Sequence, residues 1–285
     1  MLQAFQVPGK WLKGNLHAHT TNSDGRVSPE ERVAGYAQRG YDFLAITDHG
    51  FVTRSTSNDL VLISGAEYGI ELDYRSYHLV ALNVPPSFQL FDGLAMQESV
   101  DEVLSAGGLP VLAHPYWSGL ALPDMLRVRG CIGIEIYNGV SQGIGKALST
   151  VHWDDLLAAG WRGFGLAVDD VHGGFGAYTG WIMVKARDRE AGSILQAIKA
   201  GQFYASTGPE INSVTLKDNR LSVQCSPAAA INFICRANCG RSIAAPGSET
   251  LTSAGFDLSR ELGYVRIEVV DSNGRTAWTN PLYLG

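Results

Sequence analysis

The chemistry of this chain gathers around its histidines. Of the seven, at positions 17, 19, 49, 78, 114, 152 and 172, five sit beside Ala, Gly or Pro at the ends of strand-like runs, His78 opens such a run, and none falls in residues 173–285. His17-Ala18-His19 follows an apolar stretch. In an extended chain, side chains two apart share one face, so both imidazoles can converge on one cation. Alone, such a pair is a common coincidence. Here it is joined by Asp48-His49, Glu67, His78, His114-Pro115 and Asp170-Val171-His172, all of types that bind hard or borderline divalent cations. A mixed imidazole and carboxylate shell suits Zn, Mn or Fe, and the lack of cysteine at these positions argues against soft thiolate chemistry. Two such cations about 3.5 to 4 Å apart lower the pKa of a shared water from about 15.7 towards roughly 7 and hold both oxygens of a phosphoryl transfer. Protonating the leaving alkoxide needs an acid within hydrogen-bond reach, for which His49, His172 and Asp48 are candidates where they are not ligands, and residue order does not choose among them.

Glu67 lies among Gly65, Ala66 and Gly69, where a buried carboxylate without a partner is costly and a cation removes the cost. Asp170 is preferred over Asp169 as a ligand because the Asp-x-His spacing returns both groups to one face. Glu135, in IEIYNG, is left open between facing the metals and ending a strand. Tyr116, Trp117 and Asn138 are pocket-lining candidates. Arg26, Arg54 and Arg75 are weighed as phosphate partners against ordinary surface arginines, and His152 reads as a helix residue.

Strands and helices must alternate to carry these groups. Ser28-Pro29-Glu30-Glu31 is a capping box with Pro at the first helical position, and Gly40 ends the helix over 28–39. Apolar, partly β-branched runs at 41–47, 61–65, 78–84, 109–113, 132–137, 163–168 and 180–186 read as strands, and helical patterns occupy 94–106, 122–129, 149–159 and 188–200. Polar residues placed just after several strands fit a parallel α/β barrel with its site at the C-terminal rim better than an open doubly wound sheet, which collects its site at one switch point. After 208 the pattern changes to short alternating runs joined by turn dipeptides such as Asn273-Gly274. The expectation is a barrel over 1–208 and a small antiparallel β domain over 209–285.

Composition narrows the function classes. Forty-five per cent of residues are apolar, and 22 Lys+Arg against 28 Asp+Glu give a formal charge of −6, which excludes an extended nucleic-acid-binding surface. The amino-terminal stretch lacks the basic start and apolar block of a secretory signal, and no run is long enough for a membrane anchor. Four irregularly spaced cysteines read as reduced thiols, the expectation for a cytoplasmic chain. The sequence does not set the oligomeric state.

Taken in order, NLHAHTTNSDG, ITDHG, the Glu of SGAEYG, the His of YHLVAL, AHPYW and DDVHG resemble the motifs of the polymerase and histidinol phosphatase (PHP) superfamily of metal-dependent phosphoesterases over residues 14–173. GQFYASTGPEINSV with the segment after it resembles the branch related to carbaryl hydrolase. The resemblance implies a distorted (β/α)7 TIM-like barrel with a small β-sandwich-like C-terminal domain, and two or three divalent ions at the rim. It implies that His17, His19, Glu67 and Asp170 hold a first ion, that Glu67 bridges to a second held by His78 and His114, and that a third uses His49, His172 and the side chain after the first motif. Some members have histidine there; this chain has Asp24-Gly25. The activity implied is hydrolysis of a small-molecule phosphate ester. The competing readings are a metal-dependent carbamate or carboxylic ester hydrolase and a non-catalytic, metal-stabilised binding protein.

Overall fold

The computed structural model describes residues 2–72, 75–91 and 93–284. A short helix α1 (Leu2–Gln6) precedes β1 (Lys10–Asn15), α2 (Pro29–Ala37), β2 (Phe43–Ile46), β3 (Val61–Leu72), β4 (Arg75–Leu82), α3 (Met96–Ser105), β5 (Leu109–Leu112), α4 (Leu122–Leu126), β6 (Gly133–Asn138), α5 (Thr150–Ala158) and β7 (Phe164–Val168). Strands β1 to β7 lie side by side in sequence order. The two ends of this run meet: beyond Asn15 the chain stays extended, Ala18 bridges Val171, His19 N–H donates to Val171 O (3.0 Å) and Asp170 N–H to His17 O (2.9 Å). The fold is mixed α/β with a sheet whose barrel part is mostly parallel.

The pattern departs from strict strand and helix alternation. β4 runs antiparallel to both neighbours, and β3 and β4 form one hairpin. Among the described residues no helix separates β2 from β3 or β3 from β4. The expected strand at 61–65 extends to Leu72, since Glu67 and two glycines interrupt the apolar run without breaking the ladder. The capping box of α2 forms as expected: Ser28 Oγ accepts from Glu31 N–H, and Glu31 returns a carboxylate to Ser28 N–H (2.9 Å).

The remaining elements are β8 (Trp181–Ala186), α6 (Ala191–Lys199), β9 (Phe203–Ser206), β10 (Ile211–Lys217), β11 (Arg220–Ala228), β12 (Ala230–Cys235), β13 (Gly240–Ala244), β14 (Leu251–Asp257), β15 (Tyr264–Val270), β16 (Thr276–Thr279) and β17 (Leu282–Tyr283). The main sheet continues from β1 through β8, β9, β16, β15 and β12 to β13, while β10, β11 and β14 make a separate antiparallel sheet. The C-terminal strands enclose a second apolar cluster around Val223, Phe233, Ile267 and Val269, against which Phe5 and Trp11 also pack. Arg266, 1% exposed, fastens these strands to α5 by a two-pronged pair with Asp154 (2.8 and 2.6 Å) and a third bond to Glu268 (2.5 Å). A buried guanidinium tolerates this position only because its donors are paired. Among the described residues no helix is long and apolar enough to cross a membrane, and all four cysteines are free.

Candidate metal centre

The mouth where the ends of β1 and β7 meet brings all nine ligand-type residues into three interlocked groups: His17, His19, Glu67 and Asp170; Glu67, His78 and His114; and His19, Asp24, His49 and His172. Their placement follows from local backbone. β1 stops at Asn15, so the His-x-His pair rides on its extended continuation, with Ala18 turned to the opposite face. Glu67 and His78 project from within the β3–β4 hairpin. Gly69 pairs with His78 and Glu67 with Val80, which leaves the two candidates on one face. His114 (φ 27°) and Asp170 (φ 52°) occupy the left-handed backbone region that L-residues seldom adopt. Both conformations are held by hydrogen bonds, from His114 N–H to Glu135 Oε2 (3.0 Å) and from Asp170 N–H to His17 O. Asp24 reaches the rim because Gly25 folds back on Thr20, where an added Cβ would lie 2.6 Å from a backbone nitrogen.

Glu67, 1% exposed, divides its oxygens between groups. Oε2 stands 3.1 Å from His17 Nε2 and 3.2 Å from His19 Nε2, while Oε1 stands 2.7 Å from His78 Nδ1 and 3.2 Å from His114 Nε2. Asp170 Oδ1 lies 3.3 Å from His17 Nε2 and 3.1 Å from His19 Nε2, and it is a buried oxygen with no hydrogen-bond partner. His17 Nε2 and His19 Nε2 are 3.1 Å apart. Donors about 2.0 to 2.2 Å from one cation lie about 3 to 3.5 Å from one another, so the donor set fits a cation at its centre.

The far sides of the rings fix which nitrogen is free. His17 Nδ1–H donates to Glu135 Oε1 (2.6 Å) and His172 Nδ1–H to the Asp170 carbonyl (2.9 Å), which turns both Nε2 lone pairs inward. His114 Nδ1 meets Ser118 Oγ at 3.1 Å. Glu135 faces inward: its Oε2 also accepts from Asn138 Nδ2, which in turn donates to Asp170 Oδ2 (3.1 Å). The burial gradient is steep. His17 and His19 are fully buried, whereas the side chains of His172, His49 and Asp24 are 28, 36 and 54% exposed.

The carboxylates of Asp48 and Asp169 stand outside these groups. Asp48 accepts from Thr20 N–H and Oγ1 (both 2.7 Å), Ser23 Oγ (2.6 Å) and Thr53 Oγ1. Burial works to raise its carboxyl, but these donors outweigh it and hold it below the usual range. Asp169 accepts from Tyr36 Oη (2.5 Å) and from three successive backbone N–H groups at 178–180, and so ties α2 to the segment before β8. Arg26 N–H donates to His172 O (2.6 Å); Arg54 lines a separate cavity by Val52 and Ile63; the Arg75 side chain lies outside the described residues. Trp117 packs edge-on against His114 with centroids 4.8 Å apart, and the His152 ring lies 5.7 Å from Tyr116.

Without a cation, protons must reconcile the converging lone pairs and carboxylates. Burial by itself would lower His19, but the carboxylates of Asp170 and Glu67 beside its ring outweigh that and raise it from 6.5 to about 9. A raised folded pKa contributes stability that is complete below the unfolded value and is lost as pH rises through the folded one. The chelated protein is therefore expected to lose thermal stability between pH 6.5 and about 9. Zinc addition near pH 7.5 should release protons, read by calorimetry in buffers of different ionisation enthalpy. A pH-independent melting temperature over that window would contradict this.

No family model matches the chain. Over 78 residues, a quarter of this chain and 28% of the other, it is 33% identical to a 5′-3′ exoribonuclease from Haemophilus influenzae, so the match spans little more than a quarter of that relative. Among solved structures, a two-domain protein from Bacteroides vulgatus containing a predicted PHP-like metal-dependent phosphoesterase aligns over 98% of both chains, with a TM-score of 0.55 and 17% identity. That likeness is one of fold, and it runs through both the barrel and the strands after it. An amidohydrolase from Chromobacterium violaceum aligns over 67% of this chain and 96% of its own, with a TM-score of 0.47 and 15% identity.

Proposed function

We propose that this chain is a metal-dependent hydrolase of the PHP type that cleaves a small-molecule phosphate ester, with residues 1–208 as its catalytic unit and 209–285 as an accessory β unit. The observation that carries the reading is Glu67, whose two buried oxygens each serve a different set of imidazoles, as expected of a carboxylate shared by neighbouring cations. His17, His19, Glu67 and Asp170 would hold one ion, and Glu67, His78 and His114 a second. The rim group of Asp24, His49 and His172 would hold a third. His19 offers its Nε2 to the inner group, since a neutral ring has one lone pair and its Nδ1 faces Asp24 (3.6 Å). When bound, such ions lower the pKa of coordinated water to about 7 and stabilise charge on phosphoryl oxygens.

The chain's own residues do the rest. Glu135 and the Asp170 carbonyl hold the His17 and His172 rings in the tautomers that present Nε2. Asp48 anchors the loop that carries Asp24 through Thr20 and Ser23, and its engagement there leaves proton delivery to the leaving oxygen to whichever of the partly exposed His49 and His172 does not hold an ion. Burial holds His49 below its usual pKa, which keeps its lone pair free for a cation near pH 7. A cleft of about 590 Å³, bordered by His49, Glu67, Gly69 and Phe91, gives a substrate direct access. This opening argues against a purely structural metal centre, which is closed by protein ligands.

The test is to strip the protein with chelator, reload it separately with zinc, manganese and iron, and assay p-nitrophenyl phosphate, bis(p-nitrophenyl) phosphate and p-nitrophenyl acetate. Metal-dependent turnover of a phosphate ester is expected. Turnover of the acetate alone would install the ester or carbamate hydrolase instead. Full metal loading with no turnover of any substrate would favour the non-catalytic reading.

A further inference from the structure

The metal cleft borders a second cavity of about 500 Å³, and Tyr68, Gly69, Leu90 and Phe91 line both. The second chamber differs in character. Tyr68, Ile70, Tyr77, Leu94 and Met96 make it apolar, and the only charged residue bordering it among those described is Glu98, whose carboxylate is engaged by Ala95 N–H (2.8 Å). Tyr68 Oη turns away to donate to Phe88 O (3.2 Å), so its ring lines the chamber without a free polar end. The topology accounts for the space: β3 and β4 form a hairpin, and described residues from the segment between β4 and α3 lie over its outer side beside Tyr68, Ile70 and Tyr77. Gly69 lines both cavities, and an added Cβ there would lie 3.3 Å from His78 Nε2, so a side chain would crowd the ring at their border.

We infer that this chamber receives the organic part of the substrate, and that the chain acts on phosphate esters of uncharged apolar alcohols, aromatic ones above all. The inference rests on the phosphoesterase reading and adds the class of alcohol. Adjacency to the metal cleft argues for a substrate group over a separate ligand: a molecule whose phosphate lies by Glu67 and His49 has beside it the residues that also line the chamber, Tyr68, Gly69, Leu90 and Phe91. The volume suits a ring system, since small-molecule pockets run from about 300 to 1,000 Å³. Flat aromatic walls favour a planar group by stacking and edge contacts. Glu98 at the border, with no cation beside it among the lining residues, disfavours an anionic tail. In the reaction the phosphorus–oxygen bond to the alcohol breaks, a water oxygen forms the new one, and a proton passes to the leaving oxygen.

Benzyl and ethyl phosphate test this, because their alcohols are of similar acidity and differ chiefly in the ring. For the metal-loaded protein, kcat/KM for benzyl phosphate is expected to exceed that for ethyl phosphate by about 30- to 100-fold, as burial of one ring allows. Leu94→Trp, which fills the chamber at a residue that does not line the metal cleft, should cut that ratio at least about tenfold. Leu94→Ala, which widens it, should leave the ratio above that of the Trp variant. Calorimetric titration with non-hydrolysable benzylphosphonate provides a readout free of turnover: binding should weaken in Leu94→Trp. Equal kcat/KM for the two esters, or a preference and a phosphonate affinity both untouched by Leu94→Trp, would overturn the inference. Phosphonate binding that Leu94→Trp weakens, with neither ester hydrolysed, would uphold the chamber and sink the phosphoesterase reading.

Discussion

Glu67→Ala is expected to lower kcat for phosphate esters by about three orders of magnitude or more and to remove the metals of both inner groups together. The reason is geometric. Oε2 lies within 3.2 Å of His17 and His19 nitrogens, and Oε1 within 3.2 Å of His78 and His114 nitrogens, so deleting one side chain strips an anionic donor from two sites at once. It also removes the negative charge that offsets repulsion between neighbouring dications. Glu67→Gln sharpens the test. It keeps the shape but turns one oxygen into an NH2 donor, which must face one pair of imidazole nitrogens and so should empty one group while the other retains an ion. Elemental analysis after gel filtration reads both outcomes. A Glu67→Ala protein with full metal content would end the bridging assignment.

Glu135→Gln is expected to weaken metal affinity by about 10- to 100-fold, the usual cost of losing a hydrogen-bond partner behind a ligand. Glu135 is 1% exposed and accepts three hydrogen bonds, from His17 Nδ1, His114 N–H and Asn138 Nδ2. A glutamine cannot satisfy all three. With its NH2 toward His17, the ring must move its proton to Nε2 and lose the inward lone pair. With its NH2 toward His114 and Asn138, donor meets donor in a buried space. A positioning role further predicts that excess metal restores most of kcat, since no reacting atom is touched. Unchanged affinity in a metal-buffered titration would show that the His17 tautomer is set by something else.

Glu135 also marks the limit of what residue order reveals. Its position inside the apolar run IEIYN was compatible with facing the site or ending the strand, because a strand's alternation says which residues share a face but not which face is inward. The nearby roles of Asn138 and Ser118 were no more legible, since their hydrogen bonds run between strands and loops distant in sequence. The one available signal was a carboxylate amid β-branched neighbours, which a buried strand does not tolerate unpaired. Asp48 presents the opposite case. Its place next to His49 made it a candidate acid, yet its oxygens are taken by Thr20, Ser23 and Thr53, contacts that the Gly25 turn makes possible.

What the amino-acid order determined by itself was chemical type and local form: imidazoles and carboxylates suited to divalent cations, a capping box at Ser28, apolar runs for most of the barrel strands, and a change of texture near 208. These depend on side-chain identity and on neighbours a few residues apart. Tertiary structure decided the rest. It reversed β4, lengthened β3 until its hairpin carried Glu67 and His78 together, and ran one sheet from the barrel into the C-terminal strands. Above all, it brought residues 17 and 170 into contact by joining the ends of β1 and β7. Pairing between segments so far apart is chosen by the packing of the whole chain, and only that packing sets which oxygen of Glu67 meets which ring.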